Sequence, residues 1–176
     1  KFPGAGCPRV VTCAAFEELH GGREMFLFCA HLDHRGMASA MLPFCQGLAI
    51  QRAQAQILLS EADGFCGGSR APRIIVGDLN SWRGAGAQPV MSEAGYVDAS
   101  IVEGQPDDRP TFVGFRSGSL GRRLAERLLG AHIDWIFATP GSRASGYTIH
   151  EGTCAAGGGH RRNLSDHLPV SAVLDL

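Results

Sequence analysis

The apolar residues of this chain are grouped in short runs separated by glycine-rich stretches, a pattern typical of strands joined by turns. Val10–Phe16 and Met25–His31 predict two strands, and the glycine pair between them predicts a hairpin. The second of these strands and Ile74–Val76 are continuously apolar, which predicts that both are buried on both faces. Four further stretches predict short strands: Thr111–Phe115, Ala131–Thr139, Tyr147–Glu151 and Leu168–Leu176.

Two stretches predict helices. Gly47–Glu61 carries a stripe at helical spacing that consists of Leu48, Gln51, Ala55, Leu58 and Leu59. Gln88–Ala94 predicts a shorter helix that ends at Gly95. Leu120–Leu129 is amphipathic, with leucines at every fourth position opposite three arginines. The remaining stretches predict loops: Gly36–Gln46, Gly64–Ser69, Gly104–Pro110 and Gly152–Leu164.

Composition narrows the class of protein. With 176 residues, of which 44% are hydrophobic and 19% charged, the chain predicts one globular domain. The formal net charge of −1 argues against a protein that depends on a global basic field for non-specific duplex binding, but not against one with a local cationic groove. No apolar run is long enough to span a membrane. None of the six cysteines forms a Cys-x-x-Cys pair, which disfavours structural zinc and favours buried thiols, with disulfides left open.

Polar residues with catalytic chemistry follow or interrupt the predicted strands. Asp78 and Asn80 come after a buried strand, and on extended backbone their side chains would point to the same side. His31 ends a second strand, Asp134 lies inside a third, and Ser165-Asp166-His167 precedes the last. Each of these features also has a purely structural interpretation. This is an Asx turn that caps a helix for Asp78 and Asn80, and a capping role for His31. It is a salt-bridged core acid for Asp134 and a turn before a strand for Ser165-Asp166-His167. Their shared placement favours one site, since a buried acid needs a partner and histidine is a natural one.

This combination fits metal-assisted attack of water on a phosphate ester. Asp166 offers the hard oxygen that suits Mg²⁺ or Mn²⁺, and the metal polarises the phosphoryl oxygen. His167 acts as general base or stabilises developing charge, while Asp134 holds the other ring nitrogen. Asp78 and Asn80 are predicted to orient the attacking water. His31 is predicted to donate a hydrogen bond to a non-bridging phosphate oxygen.

Five motifs in order carry a resemblance to a known family: His-Leu-Asp-His, Gly-Asp-Leu-Asn, Thr-Phe-x-Gly-Phe, His-Ile-Asp-Trp-Ile-Phe and Ser-Asp-His-Leu-Pro-Val. With them, residues 8–176 resemble the endonuclease/exonuclease/phosphatase superfamily of deoxyribonuclease I-like, metal-dependent phosphoesterases. The resemblance implies an α/β fold, namely a four-layer α-β-β-α sandwich of two mixed sheets flanked by helices. It also implies the roles given above to the six site residues, and a Mg²⁺ or Mn²⁺ cofactor.

The chain departs from the family in two respects. The family has an N-terminal half with an Asn on its first strand and a metal-binding Glu, and neither is matched here. Residues 1–176 are therefore expected to form the C-terminal part of a single such domain and to be a poor enzyme alone. Cys29-Ala30 precedes His31 where close relatives often carry Asn-Thr, which removes polar groups around His31.

The resemblance implies the bond that is cleaved but not the substrate. The leading expectation is a monomer that hydrolyses a phosphodiester or phosphomonoester, with nucleic acid among its substrates. Trp82 is a candidate for stacking on a base, whereas Trp135 is expected in the core. Arg116–Arg127 and Arg161-Arg162 either reach an anionic substrate or form a solvated surface. Two alternatives stay open: a phospholipid or inositol-phosphate hydrolase of the same superfamily, and a catalytically inactive fragment that only binds phosphate.

Overall fold

A computed structural model describes residues 8–34, 46–114, 130–150, 153–156, 160–163 and 165–176. These ranges contain two helices, α1 (Gln46–Cys66) and α2 (Gln88–Glu93). They also contain the strands β1 (Val11–Glu17), β2 (Glu24–Ala30), β3 (Arg73–Asp78), β4 (Val97–Asp98), β5 (Ile101–Val102), β6 (Gln105–Pro106), β7 (Asp134–Ala138), β8 (Arg143–Ile149), β9 (Thr153–Ala156), β10 (His160–Asn163) and β11 (Val170–Asp175).

A five-stranded mixed sheet organises the fold, with the strand order β1-β2-β3-β7-β4. β1 and β2 form the predicted antiparallel hairpin, β3 lies parallel to β2, and β7 lies antiparallel to β3. Parallel neighbours require a crossover connection, and α1 lies between β2 and β3 along the chain. The C-terminal ends of β2 and β3 therefore meet the start of β7 at one edge of the sheet.

One face of this sheet packs against both helices in a continuous apolar core. Phe28 and Ile75 from the sheet and Leu58 from α1 are almost completely buried there. The other face of β2 and β3 is not covered to the same degree by the described residues, and Cys29 on that face is exposed. Among the described residues only the alternate side chains that face the helices are well covered, so burial of both strands on both faces is not seen in this part of the chain.

A second strand pair, β8 with β11, lies near the less covered face of the sheet. Val170 of β11 lines a cavity of about 470 Å³ together with Val76 and Ile136 of the main sheet. A small apolar cluster links the pair to Val113 and Leu168. Helices on one face and additional strand pairs beside a mixed sheet confirm the predicted α/β fold class. No helix within the described ranges is long and apolar enough to cross a membrane.

Helix α1 is longer than predicted, since it continues past Glu61 to Cys66. Ala62 and Cys66 are buried and extend the apolar stripe of the helix. Gly64, predicted to open a loop, stays helical because this burial outweighs the helix-propensity cost of glycine, about 1 kcal/mol. The helix ends where Gly67 adopts a positive φ of 57°.

The predicted loops in the second half of the chain contain short strands. β6 lies in Gly104–Pro110, and the β9–β10 hairpin lies in Gly152–Leu164. Strands of two to four residues carry no apolar run long enough to reveal them, which also explains why β4 and β5 were not predicted. Conversely, the predicted strand Thr111–Phe115 shows only isolated bridges from Phe112 in its described part, Thr111–Gly114; Phe115 lies outside the described residues.

Two strand boundaries differ from the prediction, and one of them changes the setting of a candidate residue. β7 begins at Asp134 instead of Ala131, so Asp134 lies at a strand end and not inside a strand. β8 begins earlier than predicted and ends at Ile149. Two other predicted elements, residues 36–45 of the first loop and the amphipathic stretch Leu120–Leu129, lie outside the described residues.

Candidate active site

The edge where β3 ends brings two carboxylates face to face. Asp78, the last residue of β3, pairs in register with Asp134, the first residue of β7. On the other side of β3, His31 follows β2, and its Nε2 lies 3.3 Å from Asp78 Oδ2. Gly77 permits the backbones of β2 and β3 to lie close together next to this pair. It has a φ of 132°, and a Cβ at this position would overlap the carbonyl oxygen of Ala30.

Asn80 is held against Asp78 by a turn instead of extended backbone. Its backbone N–H donates to Asp78 Oδ1 at 2.8 Å, which forms an Asx turn, and its φ is 49°. Its Nδ2 donates to the carbonyl oxygen of Leu32 at 2.9 Å and to Asp78 Oδ2 at 3.3 Å. The predicted extended backbone is therefore wrong. The Asx turn does not cap a helix, since α2 begins only at Gln88.

The His167 ring is oriented by a carboxylate that is itself held. His167 Nδ1 lies 2.8 Å from Asp134 Oδ2, and the Thr111 hydroxyl donates to the same oxygen at 2.6 Å. A carboxylate only accepts hydrogen bonds, so Nδ1 carries a proton and, in the neutral ring, Nε2 is the acceptor. Nε2 lies 3.9 Å from Asp78 Oδ2, and the Phe112 ring contacts the imidazole edge-on at 5.1 Å between centroids.

The site carries an excess of negative charge. Burial raises the pKa of Asp78, and the nearby charge of Asp134 adds to the rise, against the opposing effect of the Asn80 N–H and two imidazoles. Burial lowers the pKa of His167, but the hydrogen bond and charge of Asp134, with smaller effects of neighbouring carboxylates, outweigh burial and raise it. Among the described residues, the ion-pair partners of Asp78 and Asp134 are histidines and not Lys or Arg.

The donor set fits a divalent cation. Asp78, Asp134 and His167 each offer one ligand atom, and these atoms lie within 4.8 Å of one another. Two hard carboxylate oxygens that have no Lys or Arg partner in the described part of the chain suit Mg²⁺ or Mn²⁺. Asp166, the predicted metal ligand, is adjacent to this group but is not part of it; its carbonyl oxygen accepts the N–H of Val113 at 2.9 Å. The metal-binding role of Asp166 stays a prediction.

The structure thus brings His31, Asp78, Asn80, Asp134 and His167 together, whereas two buried residues that hold them were not predicted as site residues. Thr111 also accepts hydrogen bonds from the backbone N–H groups of Ile133 and Asp134, each at 3.1 Å. Gln51 of α1 reaches the loops after β2 and β3. A polar residue in each apolar pattern, the short run after Pro110 and the stripe of α1, was the signal available in the sequence.

The aromatic and basic candidates for substrate binding have different outcomes. Trp135 is 1% exposed and lies in the core, as predicted. Trp82 is half-buried in the turn after β3, and its stacking on a base stays a prediction. The stretch Arg116–Arg127 lies outside the described residues. Arg161 and Arg162 belong to β10, and their contact with a substrate stays a prediction.

Known structures share this fold. No protein-family model and no curated protein sequence matches the chain. A mannosyl-6-phosphatase from Bacteroides thetaiotaomicron is similar with a TM-score of 0.72 and 21% identity over 98% of this chain. An endonuclease/exonuclease/phosphatase from Bacteroides vulgatus has a TM-score of 0.65 and 24% identity over 98%. The human Nocturnin catalytic domain has a TM-score of 0.57 and 16% identity over 94%.

The similarity to these structures covers only part of each one. The chain spans 59%, 57% and 53% of their respective lengths. At these identities the similarity shows the fold, and it confirms the resemblance to endonuclease/exonuclease/phosphatase proteins at that level.

Proposed function

We propose that this chain carries the reaction centre of a metal-dependent phosphoester hydrolase, in which an activated water attacks a phosphodiester or phosphomonoester. The observation that carries the proposal is the hydrogen-bonded series Thr111–Asp134–His167, which faces Asp78 at the edge of the sheet. A carboxylate–imidazole pair beside a second carboxylate combines proton transfer with cation binding. The fold shared with a mannosyl-6-phosphatase and other endonuclease/exonuclease/phosphatase proteins supports this reaction class.

In the proposed reaction, His167 Nε2 is the atom that moves a proton. Its Nδ1 is engaged by Asp134, which leaves Nε2 to accept a proton from water or, once protonated, to stabilise a phosphoryl oxygen. Asp78 and Asn80 orient the attacking water. His31 has a side chain that is 60% exposed beside Asp78, so it is accessible to donate to a non-bridging phosphate oxygen.

A divalent cation, when bound, supplies Lewis-acid polarisation of the phosphoryl oxygen and neutralises charge. Asp78 and Asp134 would hold it, and Asp166 is the further ligand that we propose from the sequence. Mg²⁺ or Mn²⁺ is proposed, because the donor set is dominated by carboxylate oxygens and contains no thiolate.

The substrate classes that we propose first are nucleic acid and small phosphomonoesters. Trp82, half-buried next to the Asx turn, supports a base as one substrate group. The similarity to a mannosyl-6-phosphatase brings a sugar phosphate into the range to be tested. The phospholipid and inositol-phosphate alternatives, the inactive phosphate-binding fragment and the monomeric state stay predictions.

The experiment is a substrate panel assayed with the protein expressed from its complete reading frame. Bis-p-nitrophenyl phosphate, p-nitrophenyl phosphate, mannose 6-phosphate, single-stranded DNA and RNA, sphingomyelin and an inositol polyphosphate are incubated with Mg²⁺, with Mn²⁺ or with EDTA. Hydrolysis of at least one phosphate ester is expected, with loss in EDTA and recovery on addition of Mg²⁺ or Mn²⁺. Full activity in EDTA would contradict the metal requirement, and a folded protein that hydrolyses no ester would leave only phosphate binding.

A further inference from the structure

Gln51 of α1 lies beneath the site, completely buried in the helix stripe that faces the sheet. Its Nε2 donates to two backbone carbonyl oxygens, that of Asp33 at 2.8 Å and that of Asn80 at 2.6 Å. Its Oε1 accepts the Ser81 hydroxyl at 3.0 Å. Carbonyl oxygens cannot donate, so the opposite orientation of the amide is excluded and both amide hydrogens are used.

The two carbonyl groups bound by Gln51 belong to the loops that carry the site. Asp33 follows His31 on the loop after β2, and its N–H donates to Gln54 Oε1, one turn further along α1, at 2.9 Å. Asn80 follows Asp78 on the loop after β3. One helix therefore holds both loops by their backbone, in addition to the direct backbone hydrogen bond from the Leu32 N–H to the Asp78 carbonyl oxygen at 2.9 Å.

The clamp also holds a backbone conformation that is unfavourable alone. Asn80 is a non-glycine residue with φ of 49°, a region that costs free energy unless surrounding contacts impose it. The hydrogen bond from Gln51 to the Asn80 carbonyl oxygen is one such contact, and the bond from Asn80 Nδ2 to the Leu32 carbonyl oxygen is another. Behind the amide, Gly86 has φ of 56°, and a Cβ there would overlap Gln51 Oε1.

We propose that Gln51 is a positioning residue for the reaction: its side-chain amide fixes the loop after β2 against the loop after β3, so that His31, Asp78 and Asn80 keep their relative geometry. The proposal rests on the proposed phosphoester hydrolysis. Gln51 has no exposed surface and touches no reacting atom, so it acts through the two loops. Its loss should therefore reduce turnover more than substrate binding.

The test compares Gln51→Met and Gln51→Glu with two control variants on the same helix, in the protein expressed from its complete reading frame. Methionine keeps the length of the side chain without hydrogen bonds, and an ionised glutamate keeps only acceptors. Leu58→Ala removes buried apolar contacts of the same helix but no hydrogen bond to either loop, and Gln56→Met makes the same substitution at an exposed position. Each variant is measured for urea unfolding, for kcat and KM on bis-p-nitrophenyl phosphate, and for amide hydrogen exchange.

We expect both Gln51 variants to lower kcat by about 10–100-fold, with KM changed by less than about threefold. Hydrogen exchange at residues 33 and 79–81 should accelerate more than in Leu58→Ala when the two proteins are compared at equal stability. Leu58→Ala and Gln56→Met should keep a kcat close to that of the wild type.

Three outcomes would overturn the proposal. The first is a folded Gln51→Met protein with unchanged kcat and unchanged exchange in both loops. The second is an equal loss of kcat in Leu58→Ala at equal stability, which would show general destabilisation. The third is failure of both Gln51 variants to fold while Leu58→Ala folds, which would assign Gln51 to folding. If the wild type hydrolyses nothing, the proposed function fails, and the exchange comparison alone decides whether Gln51 fixes the loops.

Discussion

The substitution Asp134→Asn distinguishes a catalytic role of the Asp134 carboxylate from a purely structural one. The substitution keeps the size of the side chain and an oxygen that can accept from both Thr111 and His167, but removes the charge. A hydrogen bond to a charged acceptor contributes about 1.5–3 kcal/mol and a neutral one about 0.5–1.5 kcal/mol. His167 should therefore be less firmly oriented, and its protonated form should lose a favourable neighbour.

The expected cost in turnover is larger than the cost in stability. By analogy with other carboxylate–histidine pairs, kcat should fall by about 10²-fold or more, or about 2.7 kcal/mol of transition-state stabilisation. The free energy of unfolding should change by less than about 1 kcal/mol, because the lost hydrogen-bond strength is offset by relief of repulsion with Asp78 across the strand pair.

The assay combines steady-state hydrolysis of bis-p-nitrophenyl phosphate, urea unfolding and an NMR titration of the His167 imidazole. Since Asp134 opposes the effect of burial and raises the pKa of His167, that pKa should fall in Asp134→Asn. Asp175→Asn, which removes the same charge from an exposed position on β11, is the matched control and should change neither kcat nor the titration. An unchanged kcat in a folded Asp134→Asn protein would remove Asp134 from the mechanism.

Three further predictions concern stability and the hydrogen bonds under the site. Gly77→Ala should destabilise the fold by about 3 kcal/mol or more, because its Cβ would overlap the Ala30 carbonyl oxygen, whereas Gly84→Ala, also at positive φ but in open space, should cost only about 1 kcal/mol; equal costs by urea unfolding would contradict this. Thr111→Val should lower kcat by about tenfold or more and lower the unfolding free energy, since one hydroxyl serves the Asp134 carboxylate and two backbone N–H groups; a fully active variant would show that the hydroxyl is dispensable. Burial lowers the pKa of His132 below its ordinary value of 6.5, so the unfolded chain binds more protons as the pH falls; the unfolding free energy should decrease as the pH falls through that value, and less so in His132→Phe.

The sequence patterns located the residues that strand ends position. Apolar runs indicated where β2 and β3 end, and those ends carry His31 and Asp78. The motif order indicated that Asp134 and His167 would join them, and the structure places all four together. The positions of these four residues were predictable because the regular geometry of a strand fixes where its end residue lies.

The remaining features depend on contacts between distant segments, which periodicity does not report. The Asn80 turn follows from the side chain of Asp78, the carbonyl of Leu32 and the amide of Gln51, not from the local apolar pattern. Thr111 acquires its role only when the segment after Pro110 lies against the start of β7. The two-residue strands likewise exist through pairing alone.

If the cluster at the end of β3 is the reaction centre, as we propose, the kcat of the protein must depend on His167, and His167→Ala is the variant that measures this. The measurement uses bis-p-nitrophenyl phosphate, or the best ester of the substrate panel, in saturating Mg²⁺, with His150→Ala as a control for loss of an exposed histidine away from the cluster. We expect a folded His167→Ala protein whose kcat is reduced by about 10²–10⁴-fold, the usual contribution of a positioned acid or base, and a His150→Ala protein that retains its rate. A folded His167→Ala protein that hydrolyses the ester at the wild-type rate would show that this cluster is not the reaction centre.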